Sequence, residues 1–442
     1  MRLMLFAVLI CVATSAAKSD QRPNMILVAA EELGRDWVSC YGAEHETPNI
    51  DRFATEGVRY EIAWCTPSPT SSRLTLLTGQ YTFRHENLSA GGQPPKDRQT
   101  LNRLKIPTFV AILRDSGYET VLIGTSENEL LKQRPECLDQ LGFDKHDIWN
   151  PLRIVDQKED LESPIQQIKK NVLQETLTLE SDRIHSLLAD FVTHKRPSPF
   201  LIYYPLSVGE ELPTNSTPPT QNNQQDDDSL YAKRVARLDR AFGQFLKVID
   251  KAKNNHNTIV IFTSLSGASV GGNLNGRIFK HGRDQLADRG AHVPFIVRAP
   301  FLTKGNRVSR DLIDFTDLFP TLLDLGKVVP PTEVPRDGKS FLPSLSGTED
   351  PFLKRNWIFS QVGDFQMVRD WTHLLDSAGN FHDLTEDPLQ EKQIDPQDKI
   401  APGRRLRLEM ILKRFSSHKM IQSDKDKPEV IQGSPLPRDD GS

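Results

Sequence analysis

A chain of 442 residues with 55 basic and 59 acidic side chains carries a formal charge of −4. That near balance excludes bulk electrostatic attraction to nucleic acid or to an anionic membrane surface, so an anionic partner has to be met in a local site. At about 150 residues per domain the length allows roughly three domains, and it suffices for a large α/β core.

Residues 1–17 combine Arg2, an apolar run over 3–12 and the small residues Ser15 and Ala17. This is the pattern of a cleaved signal peptide, so the mature chain is expected from Lys18, exported to the periplasm or the extracellular space. No later apolar stretch reaches about 18 residues, and no transmembrane segment is expected. Cys40, Cys65 and Cys137 then remain. Their odd number sets no disulfide framework and leaves at least one thiol free.

The run 23–30, PNMILVAA, lacks a helical period and reads as a strand buried on both faces of a parallel sheet. Glu31 and Glu32 follow it, at the sheet edge where open α/β folds keep their sites. Residues 47–57 read as a helix stopped by Gly57, and a second helix is expected near Ser71 or Ser72, carrying Leu74, Leu76 and Leu77. A helix over 107–117, a strand over 119–123, a helix over 179–192 and a strand over 200–204 continue a βαβ alternation. The segment 205–230, rich in Pro, Asn, Gln and Asp, is expected to be an exposed loop. Tyr231, Val235, Leu238, Phe242, Leu246 and Ile249 then mark an amphipathic helix before strands at 258–263 and 293–297. Residues 314–325 are helical in spacing, although Pro320 should limit or kink them.

Beyond Gly347 the pattern changes to short segments at 357–362, 365–369, 372–375 and 381–384. They predict a small antiparallel sheet covered by a helix over 404–415, with a polar tail after it. The expected organisation is a signal peptide over 1–17, an α/β domain over 18–347, an α+β subdomain over 348–415 and a disordered tail over 416–442.

Residues 63–79, AWCTPSPTSSRLTLLTG, resemble the nucleophile segment of the sulfatase family, approximately A-Y-C-x-P-x-C-S-P-S-R-x-x-L-L-T-G. RPNMILVAAEELG, YGAEHETPNIDRFATEGVRY, VPFIVRAP, DFTDLFPTLLDL and NFHDLTEDPLQE are similar to further family segments in the same order. The resemblance spans Arg22 to about Phe415. It implies an alkaline-phosphatase-like α/β fold, with a large mostly parallel sheet flanked by helices and a small C-terminal antiparallel sheet with a covering helix.

What the resemblance implies for the site is a series of losses. In active sulfatases the second cysteine of the segment is oxidised to formylglycine, the nucleophile; without gaps, Pro69 stands at that position. The two calcium-binding aspartates after the first strand become Glu31 and Glu32, and the Asp-Asn pair after the strand at 258–263 becomes Leu265 and Ser266. The cationic groups of the family become Thr125, Glu127, Phe83 and Glu210. Arg73 remains, and Arg283 aligns with a substrate-binding lysine. No cofactor is expected; the resemblance leaves calcium on Glu31 and Glu32 as the metal to consider, since glutamate offers the same hard oxygens.

Cys65-Thr66-Pro67-Ser68 begins like a formylglycine signal, but Pro69 follows where arginine is required. Thr70 and Ser71, beside Ser68 and Ser72, offer hydroxyl nucleophiles if a base or metal activates one. Hydroxyls before an apolar helix are common caps, and that is the favoured reading of Ser71 or Ser72. His85, His281 and His292 lack metal-ligand spacing and read as hydrogen-bonding residues. These substitutions point to a pseudoenzyme that binds a sulfated carbohydrate or another small anionic ligand. The alternatives are an active sulfuric or phosphoric ester hydrolase with a non-standard nucleophile, and an interaction protein whose old cleft does nothing. The sequence sets no oligomeric state.

Overall fold

The computed structural model describes residues 22–84, 107–125, 135–149, 182–194, 196–207, 224–268, 270–279, 287–332, 335–348, 354–395 and 402–425. Apolar runs without polar interruption build its central sheet. The strands, in chain order, are β1 (Asn24–Ala30), β2 (Val58–Trp64), β3 (Glu119–Thr125), β4 (Lys145–Trp149), β5 (Phe200–Leu206) and β6 (Thr258–Ser264). A hairpin of β7 (Gly272–Leu274) and β8 (Arg277–Phe279) follows, then β9 (Phe295–Arg298) and β10 (Arg307–Asp314). Eight of these form one sheet in the order β10-β2-β9-β6-β1-β5-β3-β4. β9 runs antiparallel to both neighbours, and the other pairs are parallel.

β1 lies at the centre because both its faces are apolar. Met25, Leu27 and Ala29 enter the core on one side of the sheet, while Ile26, Val28 and Ala30 enter the core on the other. This is the two-residue alternation of a strand, here buried twice. Each fully buried aliphatic side chain of this kind contributes about 1.5–3 kcal/mol. Three sheet strands that the sequence did not announce, β2, β4 and β10, carry charged residues, among them Arg59, Glu61, Lys145, Asp147, Arg307, Arg310 and Asp311, which break the apolar pattern. β10 is an edge strand, where such charges are tolerated.

The first helix, α1 (Pro48–Thr55), starts with proline at its first turn. Its free N–H groups are satisfied from outside: Asn49 N and Ile50 N donate to Asp239, at 3.0 and 2.9 Å to Oδ1. Asp239 belongs to the helix Gln224–Lys251, whose Phe242, Phe245, Leu246 and Ile249 cover one face of the sheet. Residues 224–230 of the expected loop are thus helical, residues 205 and 206 belong to β5, and 208–223 lie outside the described residues. The expected signal segment also lies outside them.

The second helix, α2 (Pro69–Thr78), is buried throughout from Ser71 onward. It begins two residues before Ser71, because Pro69 is preset for the first helical position and Ser68 takes the N-cap place. Gly79 ends it with φ 67°, and a Cβ there would meet Phe319 Cβ at 2.6 Å, so only glycine fits. Pro320 neither breaks nor kinks an ongoing helix. It sits in the first turn of the helix Leu318–Leu325, which follows a tight turn capped by Asp314.

β11 (Ile358–Val362), β12 (Phe365–Arg369), β13 (His373–Asp376) and β14 (Phe381–Asp383) form the antiparallel sheet expected in the C-terminal part. Its covering helix runs Pro402–Lys425, beyond the expected boundary at 415. Leu408, Leu412 and Phe415 pack with Phe359 and Val368 on Tyr81 and Phe83, which follow α2 directly. The C-terminal subdomain is therefore joined to the segment that the sequence singles out.

Candidate active site

The C-terminal ends of β1 and β6 meet through backbone bonds. Leu265 N donates to Ala30 O at 2.9 Å, and Leu33 N donates to Ser264 Oγ at 2.8 Å. These bonds fix Glu31 and Glu32 on one side and Leu265 and Ser266 on the other. Glu32 is held at φ 61°, a left-handed conformation that costs a non-glycine residue roughly 1–2 kcal/mol. Strain at this point marks a backbone shape imposed by its surroundings.

α2 brings Arg73 to the same place. Its guanidinium is fully buried, Nη2 donates to Glu31 Oε1 at 2.7 Å, and Nε donates to the Tyr203 hydroxyl on β5 at 3.1 Å. Burial alone would lower the pKa of Arg73, but Tyr203 and Glu31 hold it above its ordinary value. Burial also raises the Tyr203 hydroxyl, against the opposing pull of Arg73. Arg73, Glu31 and Tyr203 thus form a closed cluster with a permanent positive charge on the arginine. Arg73 Nη1 is buried without a protein partner among the described residues.

Calcium fits these residues poorly. Leu265 supplies no donor; it is 0% exposed and packs in the core with Leu27 and Ala29. Ser266 offers one neutral hydroxyl, buried without a hydrogen bond among the described residues. The Glu31 carboxylate is already engaged by Arg73. A calcium shell needs six to eight oxygens at 2.3–2.6 Å, and these positions contain only two carboxylates. Among the described residues no group of three or more His, Cys, Asp or Glu side chains is placed to hold a metal.

The nucleophile position offers nothing more. Pro69 is the first residue of α2 and carries no heteroatom on its side chain. Ser72 Oγ is turned inward: it accepts from Thr66 N at 2.9 Å and lies 2.8 Å from both Thr66 O and Thr66 Oγ1. It closes the loop before α2 and caps nothing. No hydrogen bond joins Ser68, Ser71 or Ser72 to a histidine or carboxylate side chain among the described residues, and Thr70 sits half-buried beside Pro69. Burial pushes the Cys65 thiol up to about 12, so it is not a thiolate at neutral pH, and its Sγ faces Thr66 O and Ala291 O. Cys40 and Cys65 are both free thiols.

Among the cationic positions, Phe83 lies in an aromatic cluster with Tyr81, Phe359 and Phe415, and Arg84 is taken by Asp337 at 2.8 Å. His292 is bonded to Asp288 and to Glu61 O, both at 2.9 Å. Arg283, Glu127, Glu210, His85 and His281 lie outside the described residues, as do the side chains of Thr125 and Cys137. The structure therefore brings Glu31 and Arg73 together, beside Glu32, Leu265 and Ser266. Sequence reasoning missed Tyr203, because a tyrosine within an apolar strand gives no sign of its partner on α2.

Comparisons with known proteins point one way. The sulfatase family profile matches residues 23–328. An N-acetylgalactosamine-6-O-sulfatase of Bacteroides thetaiotaomicron is 24% identical over 86% of this chain and 91% of its own length. An N-acetylgalactosamine-6-sulfatase of Canis lupus familiaris is 26% identical over 82% of this chain and 73% of its own. A solved 2-O GAG sulfatase superposes with TM-score 0.67 at 18% identity, covering 92% of this chain and 94% of that one, a likeness of fold.

Proposed function

Since this chain belongs to the sulfatase family, we propose that it is an exported member that binds a sulfated carbohydrate or small anion without hydrolysing it. The observation that carries this reading is the buried Arg73–Glu31 pair at 2.7 Å, formed where the resemblance places the cation site and next to a proline at the nucleophile position. Sulfate transfer needs a nucleophile, an activating positive charge at the transferred group and an acid for the leaving oxygen. Pro69 supplies no nucleophile. Arg73 spends its charge on Glu31 inside the protein. Losing one well-aimed donor typically costs a factor of about 100 to 1,000 in rate, and here several are replaced together.

Calcium has no part in this reading, because Leu265 offers no ligand and Glu31 is paired to Arg73. The ligand class is taken from the relatives named as N-acetylgalactosamine-6-sulfatases and from the structure named as a 2-O GAG sulfatase. The test is sulfate release from N-acetylgalactosamine 6-sulfate and from an aryl sulfate, with added calcium and with chelator. No release above buffer is expected in either condition. Calcium-dependent release would refute the proposal, and release abolished by Thr70→Ala would assign hydrolysis to that hydroxyl.

A further inference from the structure

A second cleft, of about 400 Å³, opens where the loop after β1, the strands β2 and β10 and the C-terminal sheet come together. Neither Pro69, Arg73, Glu31 nor Leu265 lines it. Its volume lies in the range of small-ligand sites, at the size of one or two sugar rings. Four arginines line it, Arg35, Arg289, Arg310 and Arg369, against three carboxylates, Asp36, Glu61 and Asp288.

The pairing of these charges decides what the cleft can take. Asp36 is held by Arg289 at 2.8 Å. Asp288 is held by Arg369, by His292 at 2.9 Å and by the Trp64 indole N–H at 2.8 Å. Glu61 is held at 2.8 Å by Arg59, which does not line the cleft. All three carboxylates are thereby neutralised, and His292 adds no charge, since burial and then Arg35 lower its pKa. Two cations remain over. Among the described residues Arg35 has one hydrogen bond, 3.3 Å to Glu61 O, and feels Asp288, Glu61 and Asp36 through space without pairing to any of them, while Arg310 is exposed with no side-chain partner. Trp371, 38% exposed, stands at the same cleft, fixed by its indole N–H donating to Arg310 O at 2.9 Å.

Two guanidinium groups that make no direct ion pair among the described residues, beside an accessible indole ring, match an anion carried on a sugar: the forks bind its oxygens and the ring face takes its apolar C–H side. We infer that this cleft is a binding site for an anionic carbohydrate, with the sulfate or carboxylate on Arg35 and Arg310 and the sugar ring against Trp371. It gives the ligand of the proposed function a location apart from the ancestral nucleophile, and it rests on that reading only for the ligand's class.

The test is calorimetric titration of the full chain at low salt with N-acetylgalactosamine 6-sulfate, galacturonic acid and uncharged N-acetylgalactosamine. At least one anionic sugar should bind about tenfold or more tightly than the uncharged one, and the preferred sugar identifies the anion as sulfate or carboxylate. Arg310→Ala, at an exposed position, and Arg35→Ala should each weaken that binding about tenfold or more, the size of one charge-assisted hydrogen bond. Trp371→Ala should weaken both anionic and uncharged sugars. A thermal melt of each variant separates lost binding from lost folding. Absence of binding by all three sugars, or affinities unchanged in Arg310→Ala and in folded Arg35→Ala, would overturn the inference. Sulfate release during the titration would count against the proposed function and leave the location standing if the variants lower it.

Discussion

Replacing Glu31 by glutamine keeps the shape of the side chain and removes its charge, leaving the Arg73 guanidinium buried beside a neutral amide. Arg73 is 0% exposed and the Glu31 side chain 9%, so solvent offers little screening. Removing one partner of a buried ion pair costs about 3–5 kcal/mol, because the other charge is left uncompensated. A shift of that size is large against a total stability of roughly 5–15 kcal/mol. Urea unfolding followed by the fluorescence of the buried Trp37 and Trp64 reads it directly. The double variant Glu31→Leu with Arg73→Met replaces both charges by apolar groups, and should recover most of the loss. What it does not recover is the bond of the Tyr203 hydroxyl, at about 1–3 kcal/mol. A Glu31→Gln change below about 1 kcal/mol, the size of an exposed pair, would refute the closed-cluster account. So would a double variant no more stable than the single one.

Pro69→Ser places a hydroxyl at the nucleophile position and is expected to give no sulfate release, since among the described residues no base is placed to activate it; measurable turnover would contradict this. Leu265→Asp restores the family's ligand type, but it puts a carboxylate into a core position. It should lower the urea midpoint, with a loss of several kcal/mol that calcium does not reverse. Stability should also fall with acid in two windows. Burial and Arg35 depress His292, so its contribution is complete above its ordinary value of 6.5 and is lost as pH falls below it. Burial would raise Asp288, but Arg369 and His292 hold it well below the carboxylate range, so its contribution is lost only at more acidic pH, below about 4. Urea midpoints at pH 7.5, 5.5 and 3.5 should step down accordingly, and His292→Gln should flatten the first step.

Strands buried on both faces were legible because their only requirement is an unbroken apolar run. Residues 23–30, 200–204 and 258–263 foretell β1, β5 and β6 nearly to the residue. The edge strands β10 and β4 were not legible, since one side of an edge takes charge without cost, and β2, next to β10, carries Arg59 and Glu61 among its apolar residues. The reversed direction of β9 was also hidden, as its four residues read alike in either sense. At the site, the aligned segments identified Glu31, Arg73, Leu265 and Ser266. They placed Glu31 and Arg73 in one neighbourhood but not in a direct bond, because that contact joins residues 42 apart across a strand end and a helix. The cleft around Arg35 was less visible still. It depends on which arginine each carboxylate chooses, and pairing is a property of the folded chain.

The most direct test of the central claim, that Glu31 is paired to Arg73 and holds no calcium, is metal analysis of the purified full-length protein. After dialysis against calcium and then against metal-free buffer, mass spectrometry of the digested protein should find well under one calcium per chain. The melting temperature should then be the same in calcium and in chelator. A site occupied at a hundred times its Kd would add about 2.7 kcal/mol, so a bound ion could not pass unnoticed. One calcium per chain, lost in Glu31→Gln together with a calcium-dependent rise in melting temperature, would contradict the account.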